Sequence, residues 1–232
     1  GYVSYFVLTD TNELYVWGDN RQYEIDLNMG SATYFPNPFK FNTSALKTGG
    51  STIVDIQPPK GNLWALKMSD GRIYTSRKIN SQNFLENRYE YQSNAPFYAA
   101  TNDVRKFVLT AYSSFLLTKS GDVYTWGIGD LGEMQIDSVL EERGTPVLHK
   151  INGGLKIESI AGGDRHMIAL TNDSHVLTWG RGNYGQLGYG GGGYPLTIQD
   201  ITYNGDLNGT TPVGVFSGRI SSYVVTSEGK VV

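Results

Sequence analysis

One stretch of the chain contains the pattern from which the rest of the architecture follows: His166-Met-Ile-Ala-Leu-Thr-Asn-Asp-Ser-His-Val-Leu-Thr-Trp-Gly180. It consists of an apolar run, a polar turn and a second apolar run that ends in Trp-Gly. Short runs rich in β-branched and aromatic residues on both sides of a turn are typical of paired strands. The stretch therefore predicts a β-hairpin.

Four further segments repeat this pattern, starting near positions 4, 62, 113 and 221, so that successive copies lie 51 to 58 residues apart. Three copies have a glycine where a tight hairpin needs a positive φ, at Asp70-Gly71, Ser120-Gly121 and Glu228-Gly229. Intervals of this length fit a four-stranded blade, and no long 3.6-residue period indicates helices. The sequence therefore predicts an all-β fold, a β-propeller with about four repeats, in which residues 1–232 form one propeller domain or propeller segment.

Composition agrees with this fold class and excludes several functions. The 232 residues are 39% hydrophobic and 18% charged, with 29 glycines and 16 tyrosines that suit turns and half-buried strands. The net charge of −3 and the absence of a basic stripe argue against a nucleic-acid partner. Cysteine is absent, which excludes disulfides and thiolate metal sites. Neither a membrane-spanning segment nor a signal peptide is predicted, and the compartment stays open.

The residues around the quoted hairpin resemble the RCC1 (regulator of chromosome condensation) repeat. The resemblance rests on Ile160-Ala-Gly-Gly-Asp-Arg-His166, Thr178-Trp-Gly180 and Gly185-Gln-Leu-Gly188. It covers nearly the whole chain, although the second copy has Ser76-Arg77 in place of Trp-Gly and serine or asparagine replaces the histidine in the other four copies. The resemblance implies a seven-bladed ring. We therefore expect a segment of a longer propeller, an unusually small ring, or a ring completed by a partner.

Residues at defined positions of the repeat are interpreted as structural: Trp17, Trp126, Trp179, His166, Gly185 and Gly188. A large ring at a fixed position fills the wedge between neighbouring sheets. Small hydrogen-bonding residues stand in for His166 in the other copies, which favours a structural polar contact over a catalytic base or a metal ligand. With His149 and His175 outside ligand spacing, the sequence predicts no catalytic residues, no metal site and no cofactor.

The loops after each Trp-Gly position vary between copies, whereas the hairpins do not. Loops on a rigid scaffold often carry binding, and tyrosine and arginine often anchor interfaces. The glycine-rich run from Gly188 to Pro195 lacks the Gly-Lys-Ser/Thr of a phosphate loop and is interpreted as a surface loop. The candidate interaction residues are Asp19, Arg21, Tyr23, Arg77, Asn83, Asp130, Arg181, Asn183 and Tyr184.

Three functions follow as hypotheses. The first is a non-enzymatic protein–protein interaction scaffold of the RCC1-repeat type. The second is a guanine-nucleotide exchange factor for a small GTPase, which the resemblance implies because the namesake of the family has that activity. The third is a structural component of a large assembly, such as a virion, a tail or a ciliary complex. All three predict protein partners, either a small GTPase or neighbouring subunits of an assembly.

Overall fold

The computed structural model describes residues 4–19, 34–44, 47–60, 63–75, 90–91, 104–111, 113–128, 142–149, 154–195 and 197–232. These residues form antiparallel β-sheets, with short 3₁₀ turns such as Thr48–Gly50 and Gly205–Leu207. The chain divides into two compact units, Gly1–Asn102 and Asp103–Val232. Within the described ranges, no helix has both the length and the apolar character needed to cross a membrane.

The first unit contains two sheets in which each strand pairs with the next strand along the chain. One sheet comprises β1 (Ser4–Leu8), β2 (Leu14–Asp19) and β3 (Tyr34–Phe41). The other comprises β4 (Ile53–Lys60), β5 (Leu63–Met68), β6 (Ile73–Thr75) and β7 (Glu90–Tyr91). A buried cluster joins the two sheets and contains Leu14, Val16, Phe41, Ile53, Trp64, Leu66 and Met68.

The second unit contains three sheets with the same chain-order pairing. The first comprises β8 (Val104–Leu109), β9 (Ser113–Thr118), β10 (Val123–Ile128) and β11 (Glu142–His149). The second comprises β12 (Ile157–Gly162), β13 (His166–Thr171), β14 (Val176–Gly180) and β15 (Gln199–Asp200). The third comprises β16 (Pro212–Ser217) and β17 (Ser222–Thr226).

The hairpins predicted from the repeat are present as β1–β2, β5–β6, β9–β10 and β13–β14. In the fifth copy, β17 is followed by a bridge between Val225 and Val231. The turn residue has a positive φ at the same repeat position in all five copies: 62° at Asn12, 86° at Gly71, 83° at Gly121, 67° at Ser174 and 78° at Gly229. The three predicted glycine turns therefore belong to a conformation that all five hairpins share.

Strand β13 shows how the sheets of the second unit stack. Its six residues are all buried, because both faces of the strand are covered. Met167 and Ala169 pack with residues of the preceding sheet, including Phe115. Ile168 and Leu170 point the other way and pack with residues of the following sheet. Meanders stacked face to face in this manner are propeller blades.

Candidate protein-interaction site

Trp179 lies at the end of β14 and is fully buried between two sheets. Its ring packs edge to face against Phe115, with ring centroids 6.3 Å apart. Trp17 has the same repeat position in the first unit, where it is only partly buried and stacks on Tyr5 at 5.3 Å. The side chain of Trp126 lies outside the described part of the structure. A buried aromatic ring therefore ends the strand that leads into the loop at Arg181.

Gly180 turns the chain sharply out of β14. Its φ is 95°, and a Cβ at this position would lie 2.6 Å from the backbone oxygen of Arg165. The backbone N–H of Arg181 donates to that same oxygen at 2.7 Å. Only glycine fits this backbone conformation at so close an approach, since a side chain would force the two segments apart. The residue after Trp-Gly thus leaves the sheet at a fixed point.

His166 begins β13 and faces Gly180 across the hairpin. It is buried, and its Nε2 lies 3.3 Å from the backbone oxygen of Ser221, to which an N–H at that atom donates. Gly163 passes so close that a Cβ there would lie 2.0 Å from Cε1 of His166. The histidine therefore joins its own sheet to the turn that precedes β17.

A chain of turns holds the loop that follows Gly180. Gly182 N–H donates to the backbone oxygen of Gly193 at 2.7 Å, and the N–H groups of Gly185 and Gly188 donate to carbonyls three residues earlier at 3.0 Å. The buried side chain of Gln186 accepts a hydrogen bond from Tyr184 N–H at 2.8 Å. The loop is therefore held by hydrogen bonds within residues 182–188 and by one to Gly193.

Three predicted interaction residues lie together at the beginning of this loop, in a segment that we name the 181–184 tip: Arg181, Asn183 and Tyr184. The guanidinium carbon of Arg181 lies 5.0 Å from the centroid of the Tyr184 ring, in a cation–π arrangement. Tyr184 is 62% exposed, whereas the Nε of Arg181 is buried with no hydrogen-bond partner among the described residues. The Nδ2 of Asn183 donates to the hydroxyl of Tyr194 at 3.1 Å. The tip thus presents an exposed aromatic ring beside a cation.

Arg219, which was not predicted from the sequence, stands next to Ile220, and Ile220 lines the same groove as Tyr184. Its Nε donates to Oδ2 of Asp164 at 2.6 Å, and its side chain remains 79% exposed. The Asp164 carboxylate raises the pKa of Arg219, and Tyr184 adds a smaller electrostatic effect in the same direction. Asp164 and Arg219 each stand two residues before the start of a repeat copy. Opposite charges at equivalent positions of successive copies were the sequence signal for this pair.

The remaining predicted residues lie elsewhere. Asp19 ends β2, where its backbone oxygen accepts a hydrogen bond from the Ser4 hydroxyl at 2.7 Å. His175 lies at the opposite end of β14 from the tip and pairs with Asp200 at 2.6 Å. In the described ranges, no three histidine or carboxylate side chains meet as a set of metal ligands. Outside those ranges lie Arg21, Tyr23, Arg77, Asn83 and Asp130.

A groove of about 400 Å³ opens beside Tyr184, between the second and third sheets of the second unit. Ile168, Ile220 and Val224 form part of its apolar wall. Gln186 and Asp206 contribute polar groups. The groove and the 181–184 tip therefore share the ring of Tyr184.

Comparison with known proteins identifies the repeat. The regulator of chromosome condensation (RCC1) repeat matches residues 120–170 and, in a second form, residues 157–186. Protein pim1 of Schizosaccharomyces pombe is 30% identical over 179 residues, which are 69% of this chain and 33% of that protein.

Two solved structures show the same fold. Human WBSCR16 superposes with a TM-score of 0.80 at 15% identity, over 100% of this chain and 60% of that one. Prp20p of Saccharomyces cerevisiae superposes with a TM-score of 0.69 at 19% identity, over 98% of this chain and 55% of that one. The chain spans about a third of pim1 and little more than half of the two solved proteins. Its repeats, its similarity to pim1 and its stacked antiparallel sheets show that the chain is a β-propeller protein of the RCC1 repeat family.

Proposed function

We propose that this chain is a non-enzymatic interaction module that binds a partner protein through the 181–184 tip. The observation that carries the proposal is the contrast between the exposed ring of Tyr184 and the well-held loop on which it stands. Tyrosine and arginine are among the residues that most often dominate binding energy at protein interfaces. A loop that is already ordered loses less conformational entropy on binding, so more of the contact energy contributes to affinity.

The chemistry of the tip fits binding better than catalysis. A catalytic site brings a nucleophile or base into contact with a group that orients it. The histidine nearest the tip in the sheet, His166, is buried against Ser221. The groups of the tip are a phenol, an amide and a partly buried guanidinium group, which serve recognition without acid–base chemistry at neutral pH.

A second candidate function is guanine-nucleotide exchange on a small GTPase. Prp20p, which shares the fold, has binding properties towards Gsp1p and histones. An exchange factor acts by stabilising the nucleotide-free form of its GTPase, so an ordered binding surface suffices for the activity. The chain spans 55% of Prp20p, and exchange activity is an alternative to the scaffold that would use the same binding surface.

The test is capture of partners from the native source, read by mass spectrometry, with the unmodified chain, Tyr184→Ala and Tyr203→Ala. Tyr203 is the matched control because it is 69% exposed and contacts His175, at the opposite end of β14. We expect a set of proteins that the unmodified chain and Tyr203→Ala capture and Tyr184→Ala loses. Equal capture by all three proteins would show that the tip is not the binding site.

Addition of GTP to the captured complex separates the candidate functions. Release of a small GTPase by GTP would favour the exchange factor. A fixed set of structural proteins that GTP does not release would favour a component of a large assembly. Capture of a protein that is neither a small GTPase nor a structural subunit would favour the interaction scaffold.

A further inference from the structure

Arginine is unevenly distributed along the second and third sheets of the second unit. In residues 154–195 and 197–232, all three arginines lie at the end of the sheets that carries the tip: Arg165, Arg181 and Arg219. Asp164 lies with them in the β12–β13 turn, and a second carboxylate, Asp206, lines the groove beside Tyr184. This end therefore carries an excess of positive charge.

The other end of the same sheets carries the opposite balance. Its charged side chains are four carboxylates and two lysines: Glu158, Asp173, Asp200, Glu228, Lys156 and Lys230. Several of them are already paired, as in the contacts of Asp200 with His175 and of Glu228 with Lys230. Within residues 154–195 and 197–232, the arginines thus concentrate at the end of the sheets that carries the tip, in a chain whose overall charge is −3.

One guanidinium group lies over the ring of Tyr184, and a second, that of Arg219, belongs to the residue next to Ile220, which lines the same groove as Tyr184. Arg181 lies over the ring, at 5.0 Å from its centroid. Arg219 is close enough for its charge to interact with the tyrosine, and it remains 79% exposed although its Nε contacts Asp164. A guanidinium group binds a carboxylate through two parallel hydrogen bonds, and a tyrosine hydroxyl can donate a third.

We propose that the 181–184 tip together with Arg219 binds a segment of the partner protein that carries neighbouring aspartate or glutamate residues. This inference rests on the proposed function and names the chemistry of the partner. The acidic segment lies over the tip, and the groove beside Tyr184 is a poorer site for it because Asp206 forms part of the wall. Nucleic acid fits less well, since its regularly spaced phosphates need a longer track of cations than three arginines provide.

The test measures binding of a short fluorescein-labelled peptide of alternating glutamate and glycine, by fluorescence anisotropy at low and high salt. The chain is compared with Arg219→Gln, an exposed position where folding should not change, and with Arg105→Gln. Arg105 is the matched control, because it pairs with Glu158 at 3.1 Å, away from the tip, and is 44% exposed.

We expect the unmodified chain to bind the peptide, with affinity that falls as salt is added. Arg219→Gln should weaken binding by about fivefold or more, and Arg105→Gln should change it by less than about twofold. Absence of binding, equal losses in both variants, or tighter binding of a single-stranded oligonucleotide of the same length would overturn the inference.

The experiment also separates this inference from the proposed function. If Tyr184→Ala loses partners in the capture experiment but the glutamate peptide does not bind, the tip is an interaction site of another chemistry and only the acidic segment is ruled out. If capture does not depend on Tyr184, both proposals fail together.

Discussion

Trp179 and Tyr184 are aromatic residues on either side of Gly180, and they have opposite environments. The tryptophan is 0% exposed between two sheets, and the tyrosine is 62% exposed at the end of a loop. Gly180 separates them, because its backbone conformation takes the chain out of the sheet. One repeat therefore contains two parts with different roles: a hairpin that packs between sheets and a loop that is exposed to solvent.

Backbone hydrogen bonds between the turns of successive sheets explain why these turns can vary in sequence. Ala111 N–H donates to the backbone oxygen of Asp164 at 2.7 Å, and Asp164 N–H donates to the backbone oxygen of Arg219 at 2.8 Å. The three residues stand at the same position of successive repeat copies. Because the contact uses only backbone atoms, the side chains at this position are free to differ, and here they supply the charges near the tip.

The largest effect on stability is expected from a substitution of the buried residue, Trp179. Trp179→Ala removes a large ring from a closed core and should lower the free energy of unfolding by about 3–5 kcal/mol. Urea unfolding followed by circular dichroism measures this change. A loss below about 1 kcal/mol would mean that the site collapses around the missing ring.

The next effect tests the glycine that separates the two parts. Gly180→Ala should cost about 2–3 kcal/mol, because the backbone has a φ of 95° and the new Cβ would press on the Arg165 carbonyl at 2.6 Å. The matched control is Gly185→Ala, at a φ of 81° with no atom within 4 Å of the new Cβ, which should cost only about 1–2 kcal/mol. Equal losses by thermal unfolding would show that the close approach to Arg165 contributes nothing.

The exposed side of the comparison predicts a different response. Tyr184→Ala should change the free energy of unfolding by less than about 0.5 kcal/mol, since the ring has few buried contacts to lose. The same substitution should cost about 2 kcal/mol in partner binding, a loss of roughly thirtyfold. Isothermal calorimetry with the captured partner measures the second quantity. A destabilised Tyr184→Ala protein would mean that the loop is part of the framework.

The smallest expected effect is a pH dependence at the far end of β14. The hydrogen bond with Asp200 raises the pKa of His175, against the effect of burial. Burial opposes the shift at Asp200, but hydrogen bonds from Thr202 and His175 outweigh it and lower the pKa of that carboxyl. His175 therefore stabilises the fold fully below its ordinary pKa and loses that effect as pH rises through the raised value. Asp200 stabilises above its ordinary pKa and loses that effect as pH falls through the lowered one.

The two side chains are 31% and 38% exposed, so solvent limits the pair to at most about 1 kcal/mol. His175→Asn should flatten the decline in unfolding free energy as pH rises between about 6 and 8. His166→Asn provides the comparison, because that ring is buried against Ser221 at the other end of the hairpin. An unchanged pH profile in His175→Asn would assign the dependence to other groups.

The fold was predictable from the sequence because the repeat combines a two-residue alternation with turn glycines at a fixed position. The turns at Asn12 and Ser174 lack that glycine, yet they adopt the same positive φ. At Asn12 the side-chain amide donates to the backbone oxygen of Ile53 at 2.7 Å and accepts from Ile53 N–H at 3.0 Å. At Gly121 the backbone oxygen accepts from Ile157 N–H at 2.9 Å. The repeat therefore predicts the backbone conformation of each turn. The hydrogen bonds that link a turn to the following sheet differ between copies and are seen only in the structure.

The candidate site was predictable only in part. The residues of the 181–184 tip follow Trp-Gly directly, so their place at the end of a strand could be deduced. The role of Arg219 was not predicted, because its only signal was the opposite charge at the equivalent position of the preceding copy, Asp164, and the contact itself joins loops of successive copies. The hydrogen bond from Tyr184 N–H to the buried Gln186 side chain, which holds the backbone at the exposed ring, likewise has no local sequence signal.

The most direct test of the account is photo-crosslinking from the two exposed tyrosine positions. Tyr184 and, in a separate protein, Tyr203 are replaced by p-benzoylphenylalanine, and each protein is irradiated in an extract of the native source. Both positions are well exposed, and they lie at opposite ends of β14. The account predicts a protein adduct from position 184 and none of that identity from position 203. An adduct from position 203 alone would contradict it.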